Sequence, residues 1–378
     1  RVLPNGPLQN MQPKVVSDGA GGAIVAWSHE VVSGGRWTVS GARLNSVGTL
    51  VWSQVLAGTP PLEIAPVMVS DGAGGALVAF HHQAASGYDL AALRVSGADG
   101  SVTWRRDIAT GVATHALSFV RVPPSNGDEE FLSNSMASDG AGGAYLTWVD
   151  ERSGADGDVY AQHLLGSGTA RWTAGGVAVA TGGAAQSRPV LATDGSGGIV
   201  VAWLEQGATN RVVAQRVDST GVARWSGAGV ELSSSAFAGG DVVFSVPMDE
   251  PIALLSDSLS GVVAAWADAR NDISDIFAAH LNHDGRLGFD HVLTSTSSAG
   301  GAVLPLRNAG VWDHSKQTLS FLPVAGQRIA EVHVDGVGVG TPSSWTFTDI
   351  TADHTVTVRF APEDDVAAGA WYLVSSYG

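Results

Sequence analysis

Ser17–Trp27 reads "SDGAGGAIVAW", and nearly the same eleven residues return as "SDGAGGALVAF" at Ser70–Phe80 and "SDGAGGAYLTW" at Ser138–Trp148. Weaker copies are "TDGSGGIVVAW" at Thr193–Trp203 and "SDSLSGVVAAW" at Ser256–Trp266. The aspartates Asp18, Asp71, Asp139, Asp194 and Asp257 are spaced 53, 68, 55 and 63 residues apart. Nine residues after each stands an aromatic: Trp27, Phe80, Trp148, Trp203 and Trp266. A fixed interval inside a variable period means that the phrase is structural and the insertions lie elsewhere. Aspartate followed by glycine is turn chemistry, because the carboxylate bonds nearby amides and glycine supplies φ > 0. The five aspartates are therefore expected to be corner residues rather than ligands.

Each repeat reads as four strands. A short apolar strand precedes the corner, usually after proline ("PKVVSD", "PVMVSD", "PVLATD", "PIALLSD"). The second strand ends at the fixed aromatic, and a variable loop leads to a third ("VSGARL", "LAALRV", "VYAQHL", "VVAQRV", "IFAAHL"). A glycine turn follows, and four residues past its last glycine comes a second aromatic: Trp52, Trp104, Trp172, Trp225 and Phe289. One such sheet cannot bury both faces, so five in series predict radial packing. The expected fold is all-β: a five-bladed β-propeller over 1–298, with blades beginning near 13, 66, 134, 189 and 251. An open β-sandwich array is the alternative. The segment Arg1–Asn10 reads as the tail of a fourth strand, either closing the ring on blade five or belonging to an upstream blade.

The repeat stops near Gly300. A small β-sandwich-like module is expected over 299–362, with Asp335–Gly336 as a hairpin turn. Residues 363–378 read as a linker or one further strand.

Composition narrows the function. A net charge of −16 opposes nucleic-acid binding and anionic membrane surfaces. No run of apolar residues is long enough for a spanning helix. The chain lacks cysteine, which removes disulfides and thiolate metal sites. It begins at Arg1 rather than methionine, so it reads as processed or trimmed, and a missing leader says little. Its acidic, glycine-rich composition with only two lysines, Lys14 and Lys316, suits a secreted bacterial surface protein.

Two resemblances sharpen this. In blade three, Asp150, Arg152, Gly154, Asp158, Tyr160, Gln162 and Trp172 fit a blade pattern "W.D.R.G..DIYAQRL...G..LW", and Asp268, Arg270, Asp275, Ile276 and Phe277 fit it in blade five. The chain thus resembles a family of secreted bacterial propeller repeats, which implies an extracellular propeller and specifies no reaction. Blades one, two and four lack the Asp/Arg pair. Over Gln317–Pro362 the run "VDGVGVGTPSSWTFTDITADHTVTVRF" resembles a small β repeat of bacterial surface proteins, with Gln327 and Trp345 where that repeat carries tyrosines. That resemblance implies an accessory module without catalytic residues.

Candidate sites follow from the repeat. Two residues past each strand-two aromatic sit His29, His82, Asp150, Glu205 and Asp268. Around a five-fold ring they would offer two imidazoles and three carboxylates to a cation or sugar. The competing reading is that each caps its own loop, with Arg152 and Arg270 pairing with Asp150 and Asp268. Strand three carries Arg43, Arg94, His163, Arg216 and His280, expected to pair between blades or with strand four. Glu63, Glu130, Asp249 and Glu250 lie just before inner strands and read as solvated loop acids. The longest connections, Arg105–Ser133 and Ser226–Glu250, share a rim with the His/acid ring and are the expected binding surface. The expected function is a non-enzymatic recognition or structural unit, extracellular and cell-surface associated. It would bind protein or glycan, with other subunits of a surface assembly as possible partners and without cofactor, metal or membrane insertion. The alternative is a carbohydrate-active enzyme, a glycoside hydrolase-like propeller, which needs two carboxylates within ~10 Å of one another.

Overall fold

A computed structural model describes residues 8–33, 35–58, 62–84, 87–111, 115–116, 135–152, 157–206, 211–227, 229–233, 252–257, 261–268, 275–288, 291–304, 309–311 and 315–363. The described residues are all-β and contain no helix. None of them forms a helix long and apolar enough to cross a membrane. The chain divides into two compact units, Arg1–Leu287 and Gly288–Gly378.

The first unit is a series of five antiparallel sheets, one per repeat. Sheet one is Asn10–Ser17, Ala23–Val32, Arg36–Leu44 and Leu50–Ala57, and sheet two is Glu63–Ser70, Ala76–Ala84, Gly87–Val95 and Val102–Ala109. Sheet three holds Met136–Ser138, Ala144–Asp150, Asp158–Leu164 and Val177–Ala180, with His115–Ala116 added along Ala144–Asp150. Sheet four is Ala185–Thr193, Ile199–Gln206, Arg211–Val217 and Val230–Glu231. Sheet five has three strands, Ile252–Ser256, Val262–Asp268 and Asp275–Leu281. Within each sheet the strands follow chain order, as in a propeller blade.

The corner phrase is explained residue by residue. Asp18 accepts from the amides of Ala20 (2.8 Å) and Gly22 (2.7 Å) through Oδ1. Gly19 and Gly21 have φ of 72° and 80°. A Cβ on Gly22 would lie 2.3 Å from the Leu44 carbonyl oxygen. Each of the three glycines thus meets a separate demand.

Successive sheets are joined by one recurring device. The indole that follows the turn after strand three donates to a carbonyl in the corresponding turn of the next sheet. The pairs are Trp52 to Gly97 (2.9 Å), Trp104 to Gly166 (2.9 Å), Trp172 to Ser219 (3.2 Å) and Trp225 to His283 (2.9 Å). The indole ring lies under the last glycine of that turn: a Cβ on Gly100, Gly168, Gly221 or Gly285 would come within 2.7–2.9 Å of it. Four apolar cores fill the junctions between consecutive sheets.

Among the described residues no strand pairs sheet five with sheet one. On the outward face of sheet five, Leu255 and Ile276 are 70% and 78% exposed, and Val15 on sheet one is 65% exposed. Residues 1–7, which were expected to supply a fourth strand, lie outside the described residues, as does Phe289.

The second unit contains a five-stranded sheet in the order Ala309–Val311, His291–Ser297, His354–Pro362, Gln327–Val334, Val337–Gly338. A three-stranded sheet, Gly301–Leu304, Ser315–Pro323 and Ser344–Ile350, shares one core with it around Leu319, Phe321, Val332 and Phe360. His291–Ser297, expected as the fourth strand of the fifth repeat, instead runs parallel to His354–Pro362. Asp335 and Gly336 have φ of 50° and 78° and turn the expected hairpin between Val334 and Val337. Asp335 also accepts from the Thr355 amide (2.8 Å) and stands 2.7 Å from His354 Nδ1, which ties the "VDG" and "ADHT" runs together. Residues 364–378, expected as a linker or strand, are outside the described residues.

Candidate functional site

The two ends of each sheet differ. At the corner end all five repeats have the same arrangement. The antiparallel register sets Ile24 opposite Arg43, Leu77 opposite Arg94, Tyr145 opposite His163, Val200 opposite Arg216 and Val263 opposite His280. Each strand-three arginine or histidine therefore falls beside the corner aspartate of its own sheet. Oδ2 of Asp18, Asp71, Asp139, Asp194 and Asp257 is 2.8–3.0 Å from Arg43, Arg94, His163, Arg216 and His280 respectively. The corner aspartate is thus a partner the sequence reading did not foresee, while the expected inter-blade contact is also made by Arg43 and Arg94, which reach the Gly97 and Gly166 carbonyls of the next sheet (2.8 and 3.4 Å). The Asp71 and Asp139 carboxyls lie below their ordinary value. Burial would raise them, but hydrogen bonds from the corner amides and from Arg94 or His163 outweigh it. For Asp18 the Ala20 amide is the leading cause of the same lowering.

At the opposite end the expected His/acid ring resolves into separate clusters, one per sheet. In sheet one, Asn10 Oδ1 accepts from Trp27 Nε1 (2.8 Å) and lies 2.9 Å from His29 Nδ1. In sheet three, Asp150 accepts from Trp148 Nε1 (3.0 Å) and the Arg152 amide (2.9 Å). It also pairs with the Arg152 guanidinium, which covers the Tyr160 ring at 4.1 Å. In sheet four, Glu205 pairs with Arg211, whose Nη1 continues to Glu231 (3.1 Å). Trp203 Nε1 is left buried there with no hydrogen-bond partner among the described residues. These polar residues serve the strand-two aromatic or its own loop. Among the described residues no group of three or more His, Asp or Glu could hold a metal ion. The Asp268 side chain and the whole of Glu130, Asp249 and Glu250 are outside the described residues.

Sheet two is different. Its strand-two aromatic is Phe80, which has no N–H to satisfy. Glu63, read from sequence as a solvated loop acid, begins the inner strand Glu63–Ser70 and is 0% exposed. Register sets it opposite His82, whose Nδ1 is 3.6 Å from Glu63 Oε1. Arg105 was read as the start of a long connection but lies within the strand Val102–Ala109. Its guanidinium passes 5.7 Å from the Phe80 ring centroid to reach Glu63 Oε1 at 3.3 Å through Nη2. Its Nη1 is 3.5 Å from Asp107 Oδ1, and the Asp107 side chain is 53% exposed. One guanidinium thus joins a buried and a solvent-facing carboxylate. Their nearest oxygens can be no farther apart than about 9 Å, a bound that admits the roughly 6.5–9.5 Å separation of an inverting glycosidase pair. The sequence signal available was the β-branched and aromatic run Val102–Trp104 at the fixed aromatic position of the repeat, which favours a strand over a loop.

The inner strands carry a second feature that the sequence reading missed. Gln12, Ala65 and Arg188 have φ of 54–55°, each immediately before a proline and each at a register shift. Such left-handed non-glycine residues cost of order 1–3 kcal/mol and persist only where surroundings hold them. Around Ala65, its amide donates to Gln12 Oε1 (3.2 Å) and Ser28 Oγ (3.0 Å), and Ser28 Oγ donates to Gln12 Oε1 (2.8 Å). The bulge next to Glu63 is therefore fixed by sheet one.

No family model matches the chain, and no relative with a curated description matches it. Solved structures to which it is similar include an ulvan lyase of a polysaccharide lyase family, with 10% identity, 90% of this chain and 79% of that chain covered and a TM-score of 0.47. An endo-arabinase from Bacteroides thetaiotaomicron has 10% identity, with 71% and 92% covered and a TM-score of 0.35. A thermostable family-43 glycoside hydrolase has 10% identity, with 75% and 93% covered and a TM-score of 0.36. These names run against the expectation of a non-enzymatic unit, which is corrected here and not carried forward. At such identity no residue role passes to this chain, and its chemistry rests on its own side chains.

Proposed function

We propose that the chain is a carbohydrate-active enzyme built on propeller-type blades, with its site at the end of sheet two. The single observation that carries this is the buried Glu63 joined through Arg105 to the solvent-facing Asp107, with His82 alongside. Cleavage of a glycosidic bond takes two carboxylates, one giving a proton to the leaving oxygen and one acting as base or nucleophile. Glu63 and Asp107 supply that pair. Arg105 holds both and neutralises the charge of the one not protonated, and His82 stands beside Glu63 with its Nδ1 3.6 Å from Oε1. In this reading the five sheets are the blades, the second unit is a sandwich-like accessory module, and the protein works outside the cell on a saccharide. The bacterial surface repeats that it resembles in sequence fit the same setting.

The test is turnover on a panel of neutral and uronate-containing polysaccharides, followed by reducing ends and by the absorbance of unsaturated uronates. Asp107→Asn and Glu63→Gln should each abolish cleavage. Asp107 is exposed, so its variant keeps the fold, as circular dichroism can verify. Cleavage that survives Asp107→Asn and Glu63→Gln, or no cleavage of any polysaccharide, would refute the assignment.

A further inference from the structure

The four junctions between sheets define what the face of a repeat sheet normally touches. On the leading face, the residue three before the strand-two aromatic is Ile24, Leu77, Tyr145 and Val200 in sheets one to four, and each is buried. In sheet five the same position is Val263, which is only partly buried. The residue paired opposite the position after the aromatic is Val39, Leu90, Val159 and Val212 in the first four sheets, each 0% exposed. In sheet five it is Ile276, 78% exposed. Leu255 on the same face is 70% exposed, and Ala253 and Ala278 are exposed beside it. The face is apolar at the repeat positions that are covered everywhere else.

Sheet one has the complementary half. On the trailing face, the residue two before the aromatic is Val78, Leu146, Val201 and Ala264 in sheets two to five, each 0% exposed. Val25, its counterpart in sheet one, is only partly buried, and Val15 opposite it is 65% exposed. The turn glycines Gly100, Gly168, Gly221 and Gly285 each press on the indole of the preceding sheet, whereas a Cβ on Gly48 would meet nothing within 4 Å. The slot for an aromatic ring over the Ser46–Gly48 turn is present and open.

We infer that the leading face of sheet five docks on the trailing face of sheet one of a second copy of this chain, repeating the junction made four times inside one copy. The two halves are matched by the repeat itself, and among the described residues each leaves apolar side chains exposed, Leu255 and Ile276 on sheet five and Val15 on sheet one, although Trp27 on the latter face is itself buried. Because the two patches differ, the contact is head-to-tail rather than two-fold. This inference is independent of the proposed catalytic site.

Sedimentation velocity over a concentration series on the full chain tests it. The wild type should form dimers or larger species. Ile276→Glu and Val15→Glu should each be folded monomers, because each breaks one half of the contact and both positions are exposed in the single chain. Mixed together, they should form a heterodimer, since the intact trailing face of Ile276→Glu meets the intact leading face of Val15→Glu. A wild type that stays monomeric at every concentration would overturn the proposal, its faces then being covered within one chain. So would a mixture of the two variants that stays monomeric. Polysaccharide turnover by Asp107→Asn does not enter this readout, so the two proposals fail separately.

Discussion

Replacing Gly285 by alanine should reveal how much of the junction between sheets four and five depends on one ring against one turn. Gly285 has φ +77°, and an added Cβ would stand 2.8 Å from Cδ1 and Cγ of Trp225. The conformational part of the cost is about 1–2 kcal/mol. The overpacking part is about 1–3 kcal/mol, because the ring is buried and its indole is held to the His283 carbonyl. Trp225→Ala alone should cost about 3–5 kcal/mol through the cavity left in the core with Trp266 and Leu281. In the double variant the clash is gone and only the φ term of Gly285→Ala remains. The cycle should therefore show a coupling of about 1–3 kcal/mol, with the double variant more stable than additivity requires. Urea unfolding at constant m is the assay, since a shift in midpoint then reads stability. Additivity within about 0.5 kcal/mol would refute the claim that the glycine is there to admit the indole.

Asp139→Ala should destabilise by about 1–3 kcal/mol, since two corner amides and His163 lose their acceptor, while leaving polysaccharide turnover unchanged. Stability should fall in two steps on acidification. Burial holds His163 below 6.5 and Asp139 only partly offsets it, so the fold favours neutral imidazole, and this stability is lost as pH falls from 6.5 through the folded value. Asp139 lies below 3.8, so its contribution is present above 3.8 and lost as pH falls through its own folded value. His163→Gln should remove the upper step and keep the lower one, and an unchanged profile of unfolding midpoint against pH would contradict this.

The corner and the two aromatics were legible in sequence because their intervals never vary while the loops between them do. The pairing of Asp18 with Arg43 was not, because the aspartate was already accounted for by its turn. Its second role depends on a register that joins residues 25 apart in sequence. The second tryptophan of each repeat was legible as a buried ring, but the indole hydrogen bond to the next sheet belongs to the junction and leaves no mark within one repeat. His291–Ser297 misled for a different reason. Its alternation specifies a strand but not a partner, and either neighbour satisfies a period of two. Arg105 and Glu63 were separated in reading because one was assigned to a connection and the other to a loop. Only the cross-sheet reach over Phe80 brings them together.

The contrast between the two ends of the sheets bears on where chemistry resides. At the corner end five aspartates have the same kind of partner, which is what a scaffold requires. At the other end the equivalent positions hold Asn10 with His29, Asp150 with Arg152 and Glu205 with Arg211, each occupied with an indole or its own loop. In sheet two the replacement of tryptophan by Phe80 removes the indole N–H that Asn10 and Asp150 satisfy in sheets one and three. The polar residues at that end, Glu63 and His82, are released from this duty. Burying a carboxylate is costly, and Arg105 offsets part of that cost from across the sheet. The buried acid of sheet two thus stands beside an exposed second carboxylate, a pairing found at none of the other described sheet ends, and it is there that the proposed chemistry is placed.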